Sequence, residues 1–470
     1  MTEEFEYVGM WWLTDKREKQ VCGTLRFTSG EGTVLDLIGS FHSKEIKGMT
    51  KNSGEMLKPE IILGVSSNGE KVTLHKCFET NREFSLSGFE KSSFYANEIF
   101  IGAHFQKKED MNFKSISIHY PHLDEWVNKS GFYRLHEPDS KEEIIKYKHP
   151  ESIQATISDD YTIFIDFRST LSIIIRKEES IKQRIYIRIE SSEEKSWDEY
   201  LNILYHIRNF LSLGIAEPVY PLAIEGITEA NKEMKNEKAS IKIFYHLNIL
   251  KAPETLIRYD MLFTLEDISN RFEVFMRNWF EKADLLEPVY DLYFGILFNP
   301  QMYLQHRFLS LIQAIESFHQ RIYKGEYLSD DDYKGVYRSL VNAIPDIDNI
   351  DFKKSLENRL KYGNEYSLRK RLKEIFEKYK EILNGFIESK NSFIEKVVDT
   401  RNYLTHYDKD LKELAVSGEA LYSLTQKLKI LLETCLLSEL GFSSDKIKDL
   451  FLRNRRYQEM MKTKAETNMK

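Results

Sequence analysis

Arg307-Phe308-Leu309-Ser310-Leu311-Ile312-Gln313-Ala314-Ile315-Glu316-Ser317-Phe318-His319 reads as a helix with one apolar face, and it decides how the chain is divided. Phe308, Leu311, Ile312, Ile315, Phe318 and Ile322 recur at three- and four-residue steps, the spacing that stacks side chains along one side of an α-helix. Gly325 and the polar cluster at 329–332 stop it. Just upstream, Asn299-Pro300 breaks an earlier helical pattern, because proline lacks the N–H that would continue it. From Thr264 the periodicity stays helical, with further helices expected over 333–342, 367–379, 380–404, 411–440 and 444–461. Short connections between such segments imply an antiparallel up-and-down bundle.

Ahead of Thr264 the period changes. Short alternating or apolar runs at 24–27, 33–37 and 61–65 are separated by turn residues, as strands are. Asn68-Gly69 lies between the runs 61–65 and 72–78 and predicts a hairpin whose turn, of type I′, takes positive φ at both residues. Strand-like runs continue at 161–167, 171–176 and 184–190. Ser196-Trp197-Asp198-Glu199 then forms a capping box that opens a helix through Leu211, and β-rich pieces at 219–224 and 240–246 follow. The expected architecture is α+β and multidomain: a mainly β region over 1–262, forming one domain or two, connecting helices over 263–300, an all-α bundle over 301–462 and a frayed tail over 463–470.

A chain of 470 residues with 41% hydrophobic and 13% aromatic residues has material for more than one core. Its net charge of −7 argues against a protein that coats nucleic acid through a broad basic surface, while leaving room for a local basic cleft. Cys22, Cys77 and Cys435 are too few and too far apart for a disulfide framework or a zinc site. The acidic start has no apolar stretch of a secretory signal, and no run is long enough to span a bilayer. A cytoplasmic, reduced location without membrane partners is expected.

The chemistry concentrates in Arg401-Asn402-Tyr403-Leu404-Thr405-His406. RNA cleavage without a metal needs a fixed cation for the phosphate and a group that moves protons near neutral pH. Arginine's planar fork of donors supplies the first and an imidazole the second. Of the 12 histidines, only His406 has an arginine five to seven residues upstream. A loose R-x4-6-H is expected about once or twice by chance in such a chain, the stricter R-N-x3-H only roughly a few hundredths of a time. Phe393, Ile394, Val397 and Val398 form an apolar stripe, and Arg401 and Leu404 fall on the same face. A guanidinium there needs anionic partners or an opening onto a polar cleft. It is either an interface arginine paired with a carboxylate such as Glu316, or the wall of a phosphate site. Five residues place His406 about 140° from Arg401 on a straight helix. The two share one phosphate only if the helix ends or kinks near Thr405, as Asp408-Lys409-Asp410 suggests, or if a second subunit completes the site.

These residues carry a resemblance. The segment 307–319 is similar to the first bundle helix of the ApeA-like branch of the HEPN superfamily, and Asp399 through Tyr407 to its active-site block, including the R-x4-6-H signature of HEPN ribonucleases. The front region, through 9–13, 23–27 and 33–39, resembles the ApeA N-terminal domain. The resemblance implies anti-phage defence by a metal-independent endoribonuclease without cofactors, usually a homodimer formed through the HEPN bundle. Arg401, Asn402 and His406 match the motif without departure; Glu316 and Asp399 are supporting candidates. RNA, with tRNA one option, is the implied substrate and a phage-derived component the implied trigger. The reaction would be attack of a 2′-hydroxyl on the adjacent phosphate, leaving a 2′,3′-cyclic phosphate and a 5′-hydroxyl; DNA lacks that nucleophile.

Other features compete. Arg453, Arg455 and Arg456 are either a solvated helix end or an RNA backbone contact. His119 and His122 flank Pro121 and fit a strand end or loop better than a metal pair, having no carboxylate or cysteine at ligand spacing. His319 lies beside the apolar stripe and reads as structural, or as a group standing at a distance behind the site. No P-loop, dinucleotide fingerprint or G-x-S-x-G element is present. The rival from another class is a non-catalytic recognition protein, whose β region senses a phage component and whose bundle only dimerises.

Overall fold

The computed structural model describes residues 4–28, 30–42, 56–83, 89–136, 143–174, 177–229, 240–245, 255–346 and 348–460. The expectations for 175–176, 246 and 461–470, the frayed tail among them, lie outside these residues. The chain forms two compact units, residues 1–280 and 281–470.

Six strands of the first unit close on themselves: β1 (Phe5–Leu13), β2 (Val21–Thr28), β3 (Gly32–Ile38), β4 (Ile61–Ser66), β5 (Lys71–Glu83) and β6 (Lys91–Ile101). Every neighbouring pair is antiparallel, in the order β1-β2-β3-β6-β5-β4 and back to β1, which makes a small barrel. The alternation in the sequence becomes inside and outside. Along β2, Val21, Leu25 and Phe27 are buried while Cys22 and Arg26 are exposed. Trp11 fills the interior against Gly64, where a Cβ would fall 2.2 Å from its ring, and donates its indole N–H to Gly23 O at 3.2 Å. The β4–β5 turn sits where Asn68-Gly69 places it, with a different geometry. Only Gly69 has positive φ, and Gly69 N–H bonds Ser66 O, so the loop is a type I turn followed by a left-handed glycine.

β6 leaves the barrel. Its residues 98–101 pair with β5 on one side and with β14 on the other. From there a second run of antiparallel strands continues through β7 (Asn112–His119), β10 (Ile153–Thr156), β11 (Tyr161–Ile174), β12 (Glu178–Ser196), β13 (Ala223–Ile227) and β14 (Ile241–Tyr245), in the order β14-β13-β7-β12-β11-β10. β8 (Phe132–His136) and β9 (Glu143–Tyr147) form a separate hairpin. The run at 161–167 and the described part of the next, 171–174, are one strand, since Arg168-Ser169-Thr170 keep the pairing with β12. α1 (Leu123–Val127) is a short turn of helix. α2 (Trp197–Ile215) starts with the expected capping box: Ser196 accepts from Glu199 N–H, and Glu199 accepts from Ser196 N–H. Its apolar side meets α4 (Phe272–Glu281) in an aromatic core of Trp126, Phe210, Phe263 and Trp279, and α3 (Leu265–Ile268) packs on α1.

The second unit is helical. α5 (Ala283–Leu297) packs on α6 (Leu304–Tyr323), the helix quoted at the outset. Phe308, Leu311, Ile312, Ile315 and Phe318 are all buried, each worth about 1.5–3 kcal/mol of apolar transfer as an upper bound. α7 (Asp330–Asn342) and α8 (Ile350–Lys361) form a hairpin, and α8 has no counterpart among the expected helices. α9 (Leu368–Lys378), the short α10 (Lys380–Leu383) and α11 (Lys390–His406) follow. The helix expected over 380–404 is interrupted after Asn384-Gly385 and restarts on Ser389, which caps Ser392 N–H. α12 (Gly418–Leu440) and α13 (Ser444–Arg453) close the bundle; α12 begins after Ser417, not at 411. α6 has α12, α9 and α11 around it. Among the described residues no helix is long and apolar enough to cross a membrane.

Candidate functional site

α11 presents the hexad. Phe393, Ile394, Val397 and Thr400 are its buried side, and Thr400 also holds the next segment by accepting from Val416 N–H at 3.1 Å. Arg401 continues that side where the packing thins, and its side chain is 35% exposed. Its guanidinium donates to Asn402 Oδ1 at 3.2 Å and stands 3.9 Å from Glu316 Oε2 on α6. That separation is an ion pair at long range rather than a bidentate clasp, so the fork of donors is not closed off. Glu316 is itself 30% exposed. Burial pushes its carboxyl above the usual range, while Arg401 and Arg371 pull it back. The structure thus brings Arg401, Asn402 and Glu316 together.

His406 is exposed on the last turn of α11. The helix ends immediately after it: Tyr407 adopts the left-handed conformation, with φ 52°, and its N–H returns to Tyr403 O. This irregularity comes one residue too late to redirect His406. With helical backbone running from Arg401 through His406, the two side chains leave the axis about 140° apart. Asp399 lies one turn from Asn402 and stands 4.0 Å from Arg369 on α9, not in the Arg401 pair. Arg453 ends α13, and exposed Arg455 and Arg456 follow on a helical stretch fixed by buried Asn454 and Tyr457.

A second cluster adjoins Glu316 and was not legible in the sequence. His319, one turn along α6, is fully buried. Arg371 donates to its Nδ1 at 3.3 Å, which leaves Nε2–H to donate to Glu374 at 3.0 Å. Burial depresses the imidazole pKa, opposed by Glu374 and aided by Arg371. Arg371 is 4% exposed and also donates to Tyr366 O at 2.9 Å. His319 is thus held between Arg371, which the sequence did not foresee, and Glu374. The only signal in the sequence was Arg371 and Glu374 at a three-residue step on one helix. Farther off, Glu433 is buried on α12 and accepts from the hydroxyls of Tyr293 and Tyr457.

His119 and His122 do not make a pair. His119 ends β7 and bonds Ile185 O at 2.9 Å, and His122 takes a left-handed conformation before α1. Among the described residues no group of three or more His, Cys, Asp or Glu is arranged to hold a metal ion.

The family model for the ApeA N-terminal domain 1 matches residues 6–279, and that for the Apea-like HEPN domain matches residues 309–446. None of the curated proteins and none of the solved structures matches the chain.

Proposed function

The chain belongs to the ApeA N-terminal domain 1 family and carries an Apea-like HEPN domain, and from that premise we propose that it is an anti-phage endoribonuclease that cuts RNA without a metal. HEPN domains are ribonuclease-type modules that commonly bind RNA and dimerise. What supports the finer reading is the one-third-exposed Arg401, with its fork only loosely engaged by Glu316 and Asn402 beside it.

In the proposed reaction Arg401 binds the scissile phosphate and stabilises the charge that grows on its oxygens in the transition state. An imidazole removes the 2′-hydroxyl proton, O2′ forms a bond to phosphorus, and the 5′-oxygen leaves with a proton from a second acid. A single His406 cannot serve both ends of one in-line displacement, and in one chain it diverges from Arg401. Two copies of the bundle, each lending its His406 to the other's Arg401, answer the second difficulty, and solvent water, serving as the second acid, answers the first. Asn402 orients the phosphate or the imidazole. The β-rich unit is left to sense a phage-derived component or to restrain the nuclease. Subunit mixing tests this reading. Arg401→Ala and His406→Ala proteins should each be inactive on RNA, and their mixture should regain part of the activity, because one composite site is intact. A mixture as inactive as its components overturns the two-copy site.

A further inference from the structure

Between α6 and α9 the chain builds a projecting helical hairpin, α7–α8, in which no residue is fully buried. Its base is rigid. Asn364 is buried, accepts from Leu328 N–H at 2.9 Å and donates to Leu328 O at 2.9 Å; Tyr366 N–H bonds Gly325 O at 2.8 Å. Two amphipathic helices of this length are marginal without an apolar face to bury. Yet Val336, Leu340 and Phe352 are 41%, 42% and 52% exposed.

Helical phase shows that these three share one surface. On α7 the side toward α8 is marked by half-buried Tyr333, Tyr337 and Val341, and Tyr333 donates its hydroxyl to Leu360 O. At 100° per residue, Val336 and Leu340 lie roughly 80° from the centre of that side. On α8 the facing side is marked by half-buried Lys353, Leu356, Glu357 and Leu360, and Phe352 lies roughly 90° from its centre in the same rotational sense. In an antiparallel pair, equal rotations in the same sense bring both sets to the same face of the hairpin. The rim of that face carries Asp332 on α7 and Arg359 on α8, both exposed and both at the base end.

We propose that this face docks onto the same face of a second copy of the chain, forming an antiparallel four-helix arrangement. A two-fold axis along the hairpin lays α7 of one copy over α8 of the other and sets Asp332 against the partner subunit's Arg359 twice, so the surface is complementary to itself in charge as well as in polarity. The helices have 13 and 12 residues, giving a face of about 20 Å by 20 Å, or about 400 Å² per copy. A standard stable interface hides about 800 Å² on each partner. The hairpin thus supplies about half, and a second contact between the copies, such as the α11 seam proposed above, supplies the rest. The inference deepens the two-copy reading and rests on it only for the second copy.

Sedimentation equilibrium of the full chain over a range of concentrations tests it. The wild type is expected to dimerise, and Leu340→Glu with Phe352→Glu to raise the dimer dissociation constant at least about 100-fold. Asp332→Arg alone and Arg359→Asp alone each weaken the dimer, and the two combined in one chain restore it; that rescue excludes misfolding as the cause. An unchanged dissociation constant in the Leu340/Phe352 variant overturns the hairpin contact while leaving the two-copy site standing. A wild type that stays monomeric throughout overturns both. Single charge reversals without rescue in the double variant also overturn the proposed register, whether RNA or another protein then proves to cover the face.

Discussion

Replacing Arg401 by alanine should remove RNA cleavage while leaving the fold nearly as stable as before. The magnitude follows from its surroundings. Arg401 is about one-third exposed, and its single ion pair, to Glu316, spans 3.9 Å between two side chains that both reach solvent. Pairs of that kind contribute about 0–1 kcal/mol. About two-thirds of its side chain is covered, which adds up to about 1 kcal/mol more. The loss is then about 1–2 kcal/mol, or about 2–8 °C in the melting temperature of a unit of this size. Cleavage should fall far more steeply, at least about 100-fold, as expected when a donor aimed at transition-state charge is removed. Arg401→Lys keeps the charge without the planar fork and should recover only part of the rate. Thermal unfolding followed by circular dichroism, with cleavage of total RNA by the same preparations, measures both quantities. A drop in melting temperature beyond about 15 °C would show that Arg401 is a structural ion pair, and unchanged cleavage would remove it from the site.

Other outcomes follow from the packing. Glu433→Ala leaves the hydroxyls of Tyr293 and Tyr457 buried without their acceptor and should cost about 3–5 kcal/mol in denaturant unfolding; a loss below about 1 kcal/mol would show the node to be hydrated. Burial, reinforced by Glu433, holds both tyrosines in the neutral form well above their ordinary value of 10.0. Their stabilising contribution is complete below about pH 10 and is lost as pH rises past it, because the unfolded chain ionises first. Melting temperatures should therefore decline from about pH 10 upward, and the Tyr293→Phe, Tyr457→Phe protein should decline less steeply. Gly325 has a φ of +72°, and a Cβ there would lie 2.9 Å from Arg371 Nη1 and the His319 ring. Gly325→Ala should thus cost about 1–3 kcal/mol, and a neutral effect would mean that the Arg371–His319 cluster yields easily.

The sequence made the change from period two to helical period plain, and with it the α+β division. Local signals that satisfy backbone groups directly, such as Ser196 with Glu199 or the stripe on α6, were legible because both partners lie within one turn. Barrel closure was not, since pairing β5 with β6 depends on strand register, to which the hydrophobic alternation is blind. α8 went unread because Ile350, Phe352, Leu356 and Leu360 are its few apolar positions among lysines and polar residues, and none of them is deeply buried among the described residues. In the site, the spacing of Arg401 and His406 was visible, and so was the angular conflict between them. Arg371 left little trace beyond its three-residue step from Glu374, because the His319 ring that receives its guanidinium lies on another helix.

Purified protein incubated with total RNA in excess EDTA, with the new ends mapped chemically, tests the central claim most directly. The account predicts cleavage that persists in EDTA, yields 2′,3′-cyclic phosphate and 5′-hydroxyl ends, spares DNA of the same sequence, and disappears in both the Arg401→Ala and the His406→Ala proteins. Complete loss of cleavage in EDTA, or 5′-phosphate ends, would contradict it.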